Sequence, residues 1–219
     1  MPEIIKPMDI EKRSFEIITE LLGDRKLDSE NELVIKRVIH TTADFDYADN
    51  LVFSEHAVSK GIEALKAGCD IVTDTQMARS GINKTVLEKL GGTVHCFMSD
   101  PEVAAEAKAR GITRAVVSME HAARSGRPTI FAIGNAPTAL MRLRELIDAG
   151  EVSPALVIGV PVGFVNVTES KEEILRVCEE YDIPAIVALG RKGGSTVACA
   201  ILNALLYEAA GLSDPSRRS

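Results

Sequence analysis

Apolar positions follow two regimes along the chain. Up to about residue 68 they recur at helical spacing, as in Val34, Ile35, Val38 and Ile39. This pattern predicts helices over 9–22, 30–42 and 55–67, with Gly23 and Gly68 as stops. Ser29 and Glu32 have the Ser-x-x-Glu spacing of a capping box, and Ser54 is placed to cap the third helix. From Asp70 onward, compact apolar runs at 71–73, 94–98, 129–133, 155–158 and 185–189 alternate with helical patterns at 102–110, 114–124, 137–149, 171–181 and 196–210. Runs that are apolar throughout predict strands buried on both faces, and their alternation with helices predicts a parallel α/β sheet with right-handed crossovers. One domain is expected, with a helical segment at 1–68, a parallel core at 69–212 and a loose tail at 213–219.

Three small-residue turns each follow an apolar run directly: Gly134-Asn135-Ala136-Pro137-Thr138-Ala139-Leu140, Gly159-Val160-Pro161-Val162-Gly163-Phe164 and Gly190-Arg191-Lys192-Gly193-Gly194-Ser195-Thr196. Strand exits line one edge of an open parallel sheet, the edge where ligands bind, so these glycines predict backbone lying close against something large. Asp74, Thr75 and Met77 follow the first strand of the core and become candidates for lining the same edge.

Composition narrows the functional classes. A net charge of -7 argues against nucleic-acid binding, which needs clustered Lys and Arg. No apolar stretch approaches the roughly 20 residues that cross a bilayer, and the first residues lack the basic and apolar blocks of a secretion signal, so a cytoplasmic protein is expected. Cys69, Cys96, Cys178 and Cys199 are widely spaced among apolar neighbours and are expected to be buried and reduced.

Arg37 and His40 lie three residues apart beside the apolar stripe of the second helix. Two readings stand: an acid/base imidazole next to a carboxylate clamp, or a solvated histidine stabilised by the helix C-terminus. As a neighbouring cation, Arg37 holds down the proton affinity of His40. Ser14 shares a stripe with Ile17, Ile18 and Leu21, and its hydroxyl either meets a substrate or returns to a backbone carbonyl. Arg191 and Lys192, in the last turn, form either an anion clamp or a solvated basic turn. Asp44, Asp46 and Asp49 lack the central Gly and closing Glu of a calcium loop and read as a solvated acidic turn. His56, His95 and His121 read as structural or surface histidines.

Taken together, Glu11-Lys12-Arg13-Ser14-Phe15, Arg37-Val38-Ile39-His40, the 134–140 turn, Pro161-Val162-Gly163-Phe164-Val165, Glu169-Ser170-Lys171 and Gly190-Arg191-Lys192-Gly193-Gly194-Ser195 resemble the precorrin-8X methylmutase family of cobalamin biosynthesis. The likeness spans nearly the whole chain in the same order. It implies a three-layer, flavodoxin-like open parallel sheet, here of about five strands with helices on both faces, in a homodimer whose active sites lie near the subunit interface. It also implies an isomerase that moves a methyl group from C-11 to C-12 of a corrinoid tetrapyrrole, precorrin-8X or cobalt-precorrin-8, giving hydrogenobyrinate or cobyrinate. No redox cofactor and no catalytic metal of the protein's own are implied. By the family motif His40 is the proton donor and acceptor, and Ser14 and Arg37 contact substrate. Arg191 and Lys192 join them here from their turn position, and Lys192 leans the reading toward the cobalt-loaded substrate. The rival reading is a corrinoid carrier that retains product for the amidation step.

Overall fold

All five apolar runs of the core become strands. The computed structural model describes residues 9–215, so the first eight residues and the last four of the expected tail lie outside it. The N-terminal part contains α1 (Ile10–Leu22), α2 (Glu32–Thr42), α3 (Tyr47–Asn50), β1 (Leu51–Phe53) and α4 (Ala57–Lys66). The core continues with β2 (Asp70–Thr73), α5 (Gln76–Gly81), α6 (Lys84–Lys89), β3 (Val94–His95), α7 (Pro101–Arg110), α8 (Arg114–Ala123) and β4 (Thr129–Ile133). It closes with α9 (Pro137–Asp148), β5 (Leu156–Gly159), α10 (Val167–Glu180), β6 (Ala185–Ala188) and α11 (Ser195–Ala209).

The sheet runs β3-β2-β4-β5-β6-β1, parallel throughout except for β1, which pairs antiparallel with β6. Counted along the parallel strands this is the order 2-1-3-4-5 of flavodoxin-like folds, whose direction switches between β2 and β4. Strand pleating divides the core in two. Ile130, Ala132, Leu156, Ile158, Ile186 and Ala188 meet α2, α4 and α11, whereas Phe131, Ile133, Val157, Ala185 and Val187 meet α8, α9 and α10. Helix α11 is buried from Val197 to Leu202 and again from Ala204 to Leu206, which explains why its sequence is apolar on every side.

Four local expectations fail, each for a physical reason. Strand β1 falls in the segment read as helical, because three residues are too few to show a period, and the sheet therefore has six strands. The capping box does not form. Asp28 accepts from Glu30 N at 2.9 Å in a tight turn, α2 starts after Asn31 with no side-chain cap, and Glu32 pairs forward with Lys36. The Ser54 hydroxyl accepts from Ala185 N at 2.9 Å and so ties β1 to β6 instead of capping α4. The run at 94–98 leaves the sheet after His95 and turns through a 3-10 helix at Phe97–Ser99.

Candidate active site

The three small-residue turns emerge together from β4, β5 and β6, but their glycines face one another. A Cβ on Gly193 would fall 2.1 Å from the Val160 carbonyl oxygen, and one on Gly134 would fall 2.8 Å from Cα of Ser195. Gly193 also has φ 159, and Gly194 N donates to Val160 O at 2.8 Å. The close backbone approach expected against a ligand is thus an approach between neighbouring loops, which weld the strand exits into one platform.

Asp74 fills the switch point. Its buried carboxylate accepts from the backbone N–H groups of Gly134, Asn135 and Ala136 at 2.9, 2.8 and 2.6 Å. Burial pushes its carboxyl above the usual range, while those three donors pull the other way. The amide nest that would otherwise greet an anion is therefore occupied by the protein itself. Thr75 is used in a similar manner, accepting from Ala78 N to cap α5 and bonding to the Ser195 hydroxyl at 2.7 Å. Asp74 and Thr75 hence brace the edge from within, and of the three residues expected to line it only Met77 is exposed.

The β6 exit is fixed by a second internal device. Lys171 of α10 is fully buried and its ammonium donates to the carbonyls of Gly190 and Lys192, each at 2.8 Å. Burial brings this amine down to about 8. The loop so held presents Arg191 to solvent, with no side-chain partner among the described residues. The Lys192 ammonium instead reaches Asp44 and Asp46 at 2.6 Å each, which keeps its proton affinity above the usual lysine value. The turn expected to be a solvated acidic one is therefore a clasp, and Asp49 in turn pairs with Arg25 at 3.0 Å. It joins the β6 loop to the end of α2, one turn beyond His40.

His40 is exposed on the last turn of α2 and stacks on Phe15 of α1, ring centroids 5.3 Å apart at 17°. Its proton affinity lies below the ordinary histidine value, first through partial burial, then through the Arg37 charge, with the Glu11 carboxylate opposing both. Arg37 itself is nearly buried. Its Nη2 meets Glu11 Oε1 at 2.7 Å, and its guanidinium carbon lies 4.8 Å from the Phe15 ring centre and 5.6 Å from that of Tyr207. Arg37 and Thr41, on either side of His40, line a hollow of about 290 Å³ with Met77, Thr196, Cys199 and Tyr207. Ser14 is half-buried one residue before Phe15 and donates to Ile10 O at 2.9 Å, the back-bonded state.

The structure therefore sets Phe15, the residue after Ser14, against both Arg37 and His40, while the Lys192 clasp ties the segment after α2 to the loop of Arg191. Sequence reading missed Lys171 and Glu11 as structural actors. Their only local signals were a lysine placed among the buried positions of α10 and an acidic residue in the first turn of α1. The four cysteines are free and buried, with Cys69 and Cys178 pushed up to about 12 by burial, as expected for inert thiols. No helix among the described residues is long and apolar enough to cross a membrane.

Comparison with known proteins gives consistent matches. The family model described as precorrin-8X methylmutase matches residues 9–208. A cobalt-precorrin-8 methylmutase of Priestia megaterium is 46% identical, covering 93% of this chain and 89% of its own length. One from Salmonella typhimurium is 47% identical over 94% of this chain and 98% of its own. A precorrin-8X methylmutase of Pseudomonas aeruginosa is 37% identical over 91% of this chain and 94% of its own. Among solved structures, a precorrin-8X methylmutase from Thermus thermophilus superposes with a TM-score of 0.82 at 40% identity, covering 93% of this chain and 98% of that one.

Proposed function

Because the chain belongs to the precorrin-8X methylmutase family of cobalamin-biosynthetic isomerases, we propose that His40 is its proton-transfer residue and that Ser14, Arg37, Arg191 and Lys192 hold the corrinoid substrate. The observation that carries this reading is the surroundings of His40: an exposed imidazole backed by Phe15 and flanked by a nearly buried arginine, which lines one hollow with Thr196 after the β6 exit.

The reaction moves a methyl group from C-11 to C-12. The C-11 to methyl bond breaks as the C-12 to methyl bond forms, with no change of oxidation state. Such a migration separates little charge, so the enzyme's main work is to hold the macrocycle in a reactive shape and to manage a proton at ring C. Once a substrate carboxylate neutralises Arg37 and so lifts the proton affinity of His40, the protonated imidazole lends its proton to a ring nitrogen or the adjacent carbon, which draws electron density from C-11, and takes it back afterwards. Arg37 meets a side-chain carboxylate of the macrocycle, and Ser14, released from Ile10, offers a hydroxyl at the same rim. Arg191 is the readier of the two loop cations, since Lys192 must exchange Asp44 or Asp46 for a substrate carboxylate.

The cobalt-loaded precursor is the proposed natural substrate, supported by the naming of the relatives at 46% and 47% identity. Incubating the purified protein separately with the metal-free and cobalt-loaded precursors, and following the visible spectrum, tests both activity and preference. Faster conversion of the cobalt form is the expected result. Tight product binding without conversion of either precursor would identify a carrier instead.

The same reading includes a cytoplasmic homodimer. Four unpaired, buried cysteines support a reducing compartment. Ile10, Ile17 and Leu21 form one exposed stripe on α1, 52%, 38% and 66% accessible, on the helix that carries Ser14 and Phe15. Burying it against a second copy would place each active site at the interface. Light scattering of the Ile17→Glu, Leu21→Glu double variant should show a monomer where the parent protein is a dimer, with impaired turnover. An unchanged dimer would place the interface elsewhere.

A further inference from the structure

Of the charges that act on His40, that of Arg37 acts most strongly, and residues from two other helices decide where it sits. From α1, Glu11 Oε1 takes Nη2 at 2.7 Å and Phe15 presents its ring. From α11, Tyr207 presents a second ring. The Arg37 side chain is only 10% accessible, and its Nε is buried without a hydrogen-bond partner among the described residues, where one carboxylate and two aromatic faces meet this guanidinium. Phe15 also backs the His40 imidazole, which makes its ring the shared wall of the arginine and the histidine.

We propose that Glu11 is a positioning residue for the isomerisation: its carboxylate fixes the Arg37 guanidinium against Phe15 and Tyr207 and thereby holds both the charge and the aromatic wall beside His40 in one arrangement. The proposal rests on the reading of His40 as the proton-transfer residue. A buried cation that loses its carboxylate is strongly penalised, so without Glu11 the guanidinium turns toward water and the Phe15 ring loses its cover. Glu11 also sits in the first turn of α1, where the helix dipole favours a negative charge. At His40 its charge acts against that of Arg37, so the carboxylate tempers the neighbour that it fixes. Other charged and titratable groups on the elements packed here are Lys36 of α2, engaged with Glu32 and the Thr19 hydroxyl, Arg13 of α1, paired with Glu16 and Glu20, Asp44 and Asp46, paired with Lys192 one turn beyond His40, and Tyr207 at Arg37.

The test uses the full-length protein with Glu11→Gln and Glu11→Asp. The His40 imidazole signal, assigned by its loss in His40→Ala, is titrated by NMR in the free protein, and kcat and KM are measured from pH 6 to 9. Glu11→Gln should move the His40 midpoint upward, because the depression by Arg37 and by the covering ring, larger than the opposing charge of Glu11, is lost with it, and should lower kcat about ten- to a hundredfold, the scale of a misplaced reacting group, with a smaller rise in KM. Glu11→Asp should return the midpoint toward the parent value and recover part of kcat. An unmoved or lowered midpoint in Glu11→Gln, which would mean that Arg37 keeps its place without the carboxylate, or equal loss of kcat in both variants with the midpoint unchanged, overturns the proposal. The titration needs no turnover, so it tests Glu11 separately from His40: retained methyl migration in His40→Ala would remove the catalytic reading and leave the titration result standing.

Discussion

Replacing His40 by alanine is expected to lower the rate of methyl migration by about 10²–10⁴-fold, the usual contribution of a positioned acid/base group, and to leave the protein folded. The side chain lies on the exposed face of the last turn of α2, while Val34, Ile35, Val38 and Ile39 anchor that helix from its other side. Its removal forfeits one stacked contact with Phe15, worth about 0.5–1.5 kcal/mol, and no buried partner is stranded. Arg37, Arg191 and Lys192 are untouched, so the variant should still retain coloured product on gel filtration. The measurement is single-turnover conversion by visible spectroscopy beside a thermal melt. Methyl migration at the parent rate in a folded His40→Ala protein would dismiss the imidazole from the mechanism.

The second large effect falls on stability. Asp74→Ala removes the fully buried acceptor shared by the N–H groups of Gly134, Asn135 and Ala136, and leaves a cavity as well. A buried donor left without its acceptor costs about 1–3 kcal/mol, so the loss of all three bonds and the cavity together should cost about 3–5 kcal/mol, a large share of the total stability of an ordinary domain. For a chain of this size the melting temperature should fall by about 10 °C. Asp74→Asn keeps the volume but turns an amide NH2 toward backbone donors, so it should recover little of the loss. A melt within a degree or two of the parent for Asp74→Ala would show that water or a relaxed loop satisfies those amides, and that the switch point is not held by this carboxylate.

The two predictions mark the two layers of the site. The placement of Ser14, Arg37 and His40 on α1 and α2 was legible because spacing on a strongly periodic helix puts side chains on one face, whereas their proposed roles rest on the family resemblance. The β4, β5 and β6 exits were legible because fully apolar runs followed by glycines have few other structural meanings. The ligand inferred from those glycines was not what they serve, since the same residue type answers to any close backbone neighbour, and here the neighbours are Val160 and Ser195. The capping box at Ser29 and Glu32 failed because Asp28 competes for the same turn, a contest that local spacing does not resolve.

By itself the sequence determined the alternation of strand and helix, the burial of the cysteines and the residues that carry the family motif, because each is written in a local period or a contiguous set of residue types. Tertiary structure alone decided that β1 closes the edge of the sheet, that Asp74 and Lys171 spend their charges on backbone far away in the chain, and that Glu11 stands at Arg37. The physical reason is the same in each case. A carboxylate or an amine carries no local signal of its partner, and only the packing of distant elements determines which buried donor or acceptor it must satisfy.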